Sequence, residues 1–105
     1  MPHFVLSDVA SVIDIQPSAV VSRVIFRDNR TEVTVFGFDA GEGLSEHQAR
    51  RAAIVQVTKG RLEFIVDDEQ LDAKPGFWLH MDPGTPHSLT ALEPTFMLLT
   101  LVDAG

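Results

Sequence analysis

The chain has 105 residues, of which 45% are apolar, so it fits one domain with one modest hydrophobic core. It lacks cysteine and tyrosine, which excludes disulfides, thiolate metal ligands, a cysteine nucleophile and phenolic acid–base chemistry. A formal net charge of −7 argues against nucleic acid and against an anionic membrane surface as partners, because both require a basic face.

The start of the chain lacks the basic segment and long apolar run of a secretory signal. The longest strongly apolar stretch, near residues 96–102, is far shorter than the roughly 20 residues that a membrane helix requires. We therefore expect a soluble, cytoplasmic protein.

The apolar pattern is typical of strands almost throughout. In chain order, the predicted strands are residues 19–26, 32–38, 54–58, 61–66, a short strand from Leu71, 77–81, 87–92 and 96–102. Turn residues at 27–30 predict a hairpin between the first two strands, and Lys59-Gly60 is a two-residue connection of the kind that hairpins use. Glycines at 37, 41 and 43 predict a loop, and residues 7–15 fit a helical turn, a strand or an irregular segment.

Short strands separated by Gly and Pro at roughly 8–12-residue spacing predict an all-β sandwich or barrel. A jelly-roll barrel is the natural solution, because closure hides the strand edges.

Two segments of the chain contain the candidate site residues. The first runs from Gly41 through His47 to Gly60, and the second runs from Gly76 through Gly84 to His87. Together they resemble the two signature motifs of the cupin family, small β-barrels that often hold a metal. The resemblance covers about residues 19–102. It implies one cupin domain over residues 1–105 with the double-stranded β-helix, or jelly-roll, fold.

The chain departs from the family pattern at two of the four usual metal-ligand positions. His47 and His87 match, whereas Ala49 and Ala53 replace a histidine and a glutamate. If a carboxylate ligand comes from elsewhere in the chain, Asp82, in the turn before His87, is the least implausible donor. The resemblance therefore implies at most a weakly held divalent ion (Zn, Fe, Mn, Ni or Cu) on His47 and His87.

The two alanines also leave space inside the predicted barrel. Either bulky side chains such as Met81, Phe64, Phe96 or Met97 fill this space, or a ligand or water does. An apolar pocket with two imidazoles suits a small organic molecule, and Arg51 is either a carboxylate-binding group at its mouth or part of a solvated edge. The candidate ligand-binding residues are His47, Ala49, Arg51, Ala53, Met81 and His87.

Three functions stay open at this point. The first is a cupin that binds a small organic ligand. The second is a metal-dependent oxygenase, isomerase or decarboxylase, for which the sequence assigns no catalytic residue. The third is a structural barrel whose site is lost. Because Trp78 and His80 share the outer face of their strand, and family members pair through their sheets, we also expect a homodimer.

Overall fold

The computed structural model describes residues 2–103 and contains nine strands in two antiparallel sheets. The strands are β1 (Val20–Arg27), β2 (Thr31–Phe38), β3 (Gly43–His47), β4 (Ala52–Lys59), β5 (Leu62–Val66), β6 (Glu69–Ala73), β7 (Trp78–Met81), β8 (His87–Ala91) and β9 (Thr95–Val102). The larger sheet has the order β1-β2-β9-β4-β7, and the smaller sheet has the order β3-β8-β5-β6. This confirms the all-β jelly-roll prediction. The predicted domain bounds at residues 1 and 105 lie outside the described residues.

The core lies between the two sheets, because residues two apart in a strand share a face. In β4, for example, Ala53, Val55 and Val57 are buried, whereas the residues between them are half-exposed. Both sheets contribute to one cluster of buried apolar side chains, which are Phe38, Ala53, Val55, Val57, Leu62, Phe64, Ala73, Met81, Leu89, Ala91 and Met97.

Two sequence predictions about the connections are wrong. Gly43 begins strand β3 and does not lie in a loop, because the absence of a side chain lets β3 approach the backbone of β8 at Leu89 and Thr90. Lys59-Gly60 does not close a hairpin. β4 pairs with β7 and β9, whereas β5 pairs with β6 and β8, so the chain crosses here from one sheet to the other. The predicted β1–β2 hairpin is confirmed.

The N-terminal segment covers part of the outer face of the larger sheet. Val9–Val12 forms a 3-10 helix, and the Asp8 carboxylate caps it by accepting a hydrogen bond from the Ala10 amide at 3.0 Å. The next residues pack on β2. A Cβ atom at Gly37 would lie 3.2 Å from Ile15 and 3.3 Å from Ile13. In the part of the chain from 2 to 103, no helix is long and apolar enough to cross a membrane.

Candidate functional site

Two imidazoles meet at one end of the barrel. β3 and β8 are neighbours in the smaller sheet, and their pairing places His47 directly opposite His87. The ring centroids are 4.1 Å apart and the ring planes are inclined by 62°. The two histidines that the resemblance assigns to one site therefore do lie together, as neighbours in one sheet.

The turn before β8 is tied to the loop after β3. Gly84 has a φ of +83°, a conformation that glycine adopts readily, and its amide donates to the Ala49 carbonyl at 2.8 Å. The Thr85 hydroxyl donates to the Asp82 carbonyl at 2.8 Å and tightens the same turn. These contacts hold the segments that carry the two histidines next to each other.

A backbone carbonyl oxygen fixes the orientation of each imidazole. The Nδ1 atom of His47 lies 2.7 Å from the Ser45 carbonyl oxygen, and the Nδ1 atom of His87 lies 2.9 Å from the Thr85 carbonyl oxygen. Because a carbonyl oxygen only accepts, each Nδ1 carries a proton and donates it. In the neutral ring, Nε2 is then left with a free lone pair. The pair therefore offers two Nε2 acceptors.

The two rings differ in exposure. His87 is buried, with 6% of its surface accessible, whereas His47 is exposed. Burial lowers the pKa of His87 below its ordinary value, because a buried imidazolium loses hydration; the Thr85 carbonyl opposes this effect and the nearby His47 adds to it. His87 is thus held as a neutral imidazole at neutral pH.

We expect this lowered pKa to make folding sensitive to mild acid. Well above about pH 6.5 His87 is neutral in both states, and as the pH falls through this value the unfolded chain takes up the proton first. The free energy of unfolding therefore falls as the pH is lowered from about 7.5 to about 5.5. Urea unfolding at both pH values measures this loss. His87→Gln should reduce it, whereas His80→Gln, at an exposed position, should leave it unchanged. An equal loss in both variants would contradict the assignment to His87.

The donor set does not fit a catalytic metal centre with three protein ligands. Within residues 2–103, no group of three or more His, Asp or Glu side chains is arranged to hold a metal ion. Asp82, the least implausible carboxylate donor in the sequence, is exposed and does not join the histidines in such a group. Two imidazoles alone fall short of the three-ligand zinc site and of the two-histidine, one-carboxylate iron site.

The cupin domain family model matches residues 34–102, which is more than half of the chain. The chain is a cupin. Its match includes both histidines and all strands from β3 to β9.

Solved structures share the fold of this cupin over its whole length. A conserved protein of unknown function from Streptococcus pyogenes is 28% identical, with a TM-score of 0.87 over 100% of this chain and 92% of that chain. A cupin superfamily protein from Desulfitobacterium hafniense is 21% identical, with a TM-score of 0.87 over 98% of this chain and 94% of that chain.

A third solved structure with this fold is an enzyme. The DMSP lyase DddQ from Ruegeria pomeroyi is 17% identical, with a TM-score of 0.75 over 81% of this chain and 47% of that chain. At this identity the likeness extends to the fold alone. No curated protein sequence matches the chain.

The interior next to Ala53 of this cupin is filled with hydrocarbon. Ala53 pairs with Met81 across β4 and β7, and they are 2% and 3% exposed. Met97 and Phe64 belong to the same buried cluster, so three of the four candidate filling residues occupy the interior. The fourth, Phe96, pairs with Gly37 and so belongs to the outward-facing positions of the sheet. The expected space is thus largely taken up by side chains, and what remains accessible is the end of the barrel at His47.

Arg51 directly precedes β4 and contacts two carboxylates. Its guanidinium is 3.7 Å from the Glu32 carboxylate and 3.6 Å from that of Asp103. Glu32 also accepts a hydrogen bond from Arg27 at 2.8 Å. An anionic ligand at Arg51 would compete with these two carboxylates. Ala49 is half-buried and contacts the site through its backbone carbonyl.

Sequence reasoning missed what orients the imidazole pair. The carbonyls of Ser45 and Thr85 set the ring orientations. Each stands two residues before its histidine, but carbonyl groups leave no mark in a sequence. The sequence named Phe64 only as a side chain that could fill the barrel. In the structure its ring is fully buried and lies nearly parallel to the His87 ring, with an inclination of 13° and centroids 6.0 Å apart.

Proposed function

We propose that this cupin binds a small organic ligand at the end of its barrel, on the Nε2 atoms of the His47–His87 pair. The observation that supports this proposal is the fixed orientation of both rings: their centroids are 4.1 Å apart, and each Nδ1 atom is engaged by a carbonyl. Two neighbouring acceptors suit a ligand with two neighbouring hydroxyl or N–H donors, such as a polyol or a sugar.

The filled interior limits the depth of such a site. Because Met81 and Ala53 are buried in the core, the ligand would lie over the imidazole pair and would not fill the barrel. Pockets that bind ligands tightly enclose most of the ligand surface, so we expect a dissociation constant between about 1 μM and about 1 mM. Ala49, Arg51 and the His87 turn would line its rim.

A second candidate is a metal-dependent enzyme, which one specific observation favours. Histidines that bind metals usually donate their other ring N–H to a carbonyl or carboxylate, and both histidines here do so. A divalent ion on the two Nε2 atoms would need water or substrate as its remaining ligands. Such an ion would act as a Lewis acid toward a bound oxygen atom. Its affinity would be lower than that of a three-histidine site.

The four histidines provide the test of the proposal. We would record the Cε1–H NMR signals of His3, His47, His80 and His87 while adding a panel of polyols, sugars, carboxylic acids and, in a separate series, Zn²⁺. A ligand at the proposed site should shift the signals of His47 and His87 and leave those of His3 and His80 in place.

Alanine variants of the histidines then test whether the imidazoles themselves bind the ligand. His47→Ala and His87→Ala should each weaken binding at least about tenfold, which corresponds to about 1.4 kcal/mol, whereas His80→Ala should have no effect. Because His87 is buried, thermal unfolding is measured alongside to confirm that each variant is folded. If up to about 10 mM of every compound moves neither signal, the proposed site is wrong and the structural-barrel alternative is favoured. A response to Zn²⁺ alone favours the metal-dependent candidate.

A further inference from the structure

A glutamate stands in the same cross-strand row as the imidazole pair. Strand pairing aligns His47, His87, Val66 and Glu69 across β3, β8, β5 and β6. Residues directly opposite each other on neighbouring strands share a face of the sheet, so Glu69 lies on the same face as both imidazoles. Because strands lie about 4.8 Å apart, the Glu69 backbone is about 10 Å from that of His87.

The turn between β5 and β6 adds two exposed carboxylates, Asp67 and Asp68. The Asp67 amide donates to the Pro86 carbonyl at 2.9 Å, which ties this turn to the residue directly before His87. From residue 62 to residue 91 the chain has one Lys or Arg, which is Lys74, and it follows the opposite end of β6. We call three residues the acidic turn: Asp67, Asp68 and Glu69.

The arginines at this end of the barrel have carboxylates of their own nearby. Arg27 and Arg51 both contact the Glu32 carboxylate, and Arg51 contacts a second carboxylate as well. Arg50 is exposed, and the exposed Glu46 offsets its charge within the same segment. The acidic turn therefore leaves a net negative charge beside the imidazole pair, in a chain whose net charge is already −7.

The free atom of the buried imidazole is an acceptor that reaches the surface. His87 is 6% exposed, and its Nδ1 atom is engaged by the Thr85 carbonyl. Among residues 2–103, no buried side-chain nitrogen or oxygen lacks a hydrogen-bond partner. Because Nε2 of His87 has no partner among these residues, it belongs to the small part of the ring that remains accessible. A group that binds there must donate a hydrogen bond.

These two properties together select among the donors. A carboxylate ligand accepts hydrogen bonds and is repelled by the acidic turn. A neutral hydroxyl group satisfies the imidazoles but gains nothing from the charge. A protonated amine donates hydrogen bonds, accepts none, and is attracted by the nearby carboxylates. Hydrogen bonds from a charged donor are also roughly twice as strong as neutral ones.

We propose that the ligand of the His47–His87 site carries a protonated amine next to a hydroxyl group, as an amino alcohol or an amino sugar does. The inference rests on the proposed function, since it names the chemical class of ligand for the same site. The imidazoles accept from the two neighbouring donors, and the acidic turn supplies the preference for positive charge.

Three sugars that differ at one carbon atom test this preference. We would titrate glucose, glucosamine and N-acetylglucosamine at about pH 7 and about 20 mM ionic strength, and follow the Cε1–H NMR signals of His47 and His87. Glucosamine should bind at least about fivefold more tightly than the other two, because acetylation keeps the N–H group but removes the charge. At about 0.5 M salt the preference should fall below about twofold.

Variants assign the preference to the acidic turn. The combined change Asp67→Asn, Asp68→Asn and Glu69→Gln should reduce it below about twofold. Asn tolerates the φ of 53° at position 67, so the turn is kept.

A matched control removes three carboxylates elsewhere in the smaller sheet. Glu42 and Glu93 lie at its opposite end, and Glu63 lies on its outer face between the buried Leu62 and Phe64. The combined change Glu42→Gln, Glu63→Gln and Glu93→Gln alters the net charge equally and should keep the preference.

The outcomes separate this inference from the proposed function. Equal binding of glucose and glucosamine, or a preference that survives in the acidic-turn variant, would overturn the inference alone. His47→Ala should weaken glucosamine binding at least about tenfold, and an unchanged affinity would show that the amine binds the acidic turn without the imidazoles. If no sugar, amine or polyol moves either histidine signal, the proposed function is wrong and the inference is wrong with it.

Discussion

Replacing Gly60 by alanine is expected to destabilise the protein by about 3 kcal/mol or more, one of the largest losses expected from a single methyl group in this chain. Gly60 connects β4 of the larger sheet to β5 of the smaller sheet and has a φ of +94°. A Cβ atom there would overlap the Thr95 hydroxyl oxygen and the Pro94 carbonyl oxygen and would lie 2.6 Å from the Thr95 Cα. Backbone atoms cannot rotate out of the way as a side chain can, so the crossing between the sheets would have to shift.

Gly41→Ala is the control that separates the cost of the left-handed backbone conformation from the cost of the close approach to Pro94 and Thr95. Gly41 has a similar φ of +85°, but a Cβ atom there would meet nothing within 4 Å. It should therefore show only the cost of the left-handed conformation, about 1–2 kcal/mol. Urea unfolding of both variants measures the difference. Equal losses would show that the close approach at Thr95 contributes nothing.

Phe64→Ala should cost about 3–5 kcal/mol, because it removes a fully buried ring from the core. The ring lies beside both His87 and Phe77, with centroid distances of 6.0 Å and 6.1 Å. Its loss would thus leave a cavity beneath the imidazole pair. A loss of this size is a large fraction of the 5–15 kcal/mol by which domains are usually stable.

Two further variants keep this prediction testable if Phe64→Ala does not fold. Phe64→Leu retains most of the volume and should cost less than about 2 kcal/mol, while still changing the NMR signal and the pKa of His87. Phe26→Ala removes the same ring from a position that is 36% exposed and should cost less than about 1 kcal/mol. If Phe64→Leu leaves the His87 signal unchanged, Phe64 does not support the site.

Several features of the fold could be predicted from the sequence because they depend on neighbours in the chain. Alternating apolar residues predicted strands such as β4 and β9, and turn residues between β1 and β2 predicted a hairpin. The motif glycines, together with His47 and His87, predicted that the two imidazoles belong to one site. The sequence also placed Trp78 on an outer face, since its parity is opposite to that of the buried Met81.

Other features depend on contacts between distant residues. A Lys59-Gly60 turn is compatible with a hairpin or with a crossing between sheets, and the pairing of β4 with β9 selects the crossing. The ion pairs of Arg51 join residues from three separate parts of the chain.

The sequence by itself determined the class of fold, the family and the choice of His47 and His87 as site residues, because these follow from local alternation, turn chemistry and motif spacing. Only the tertiary structure decided that the space beside Ala53 is filled, that His87 is buried while His47 is exposed, and that carbonyls orient both rings. The physical reason is that side-chain packing, burial and hydrogen-bond partners are set by segments far apart in the chain. The alanines at positions 49 and 53 indicate that two metal-ligating side chains are missing, but they do not indicate what occupies the space that those side chains would have filled.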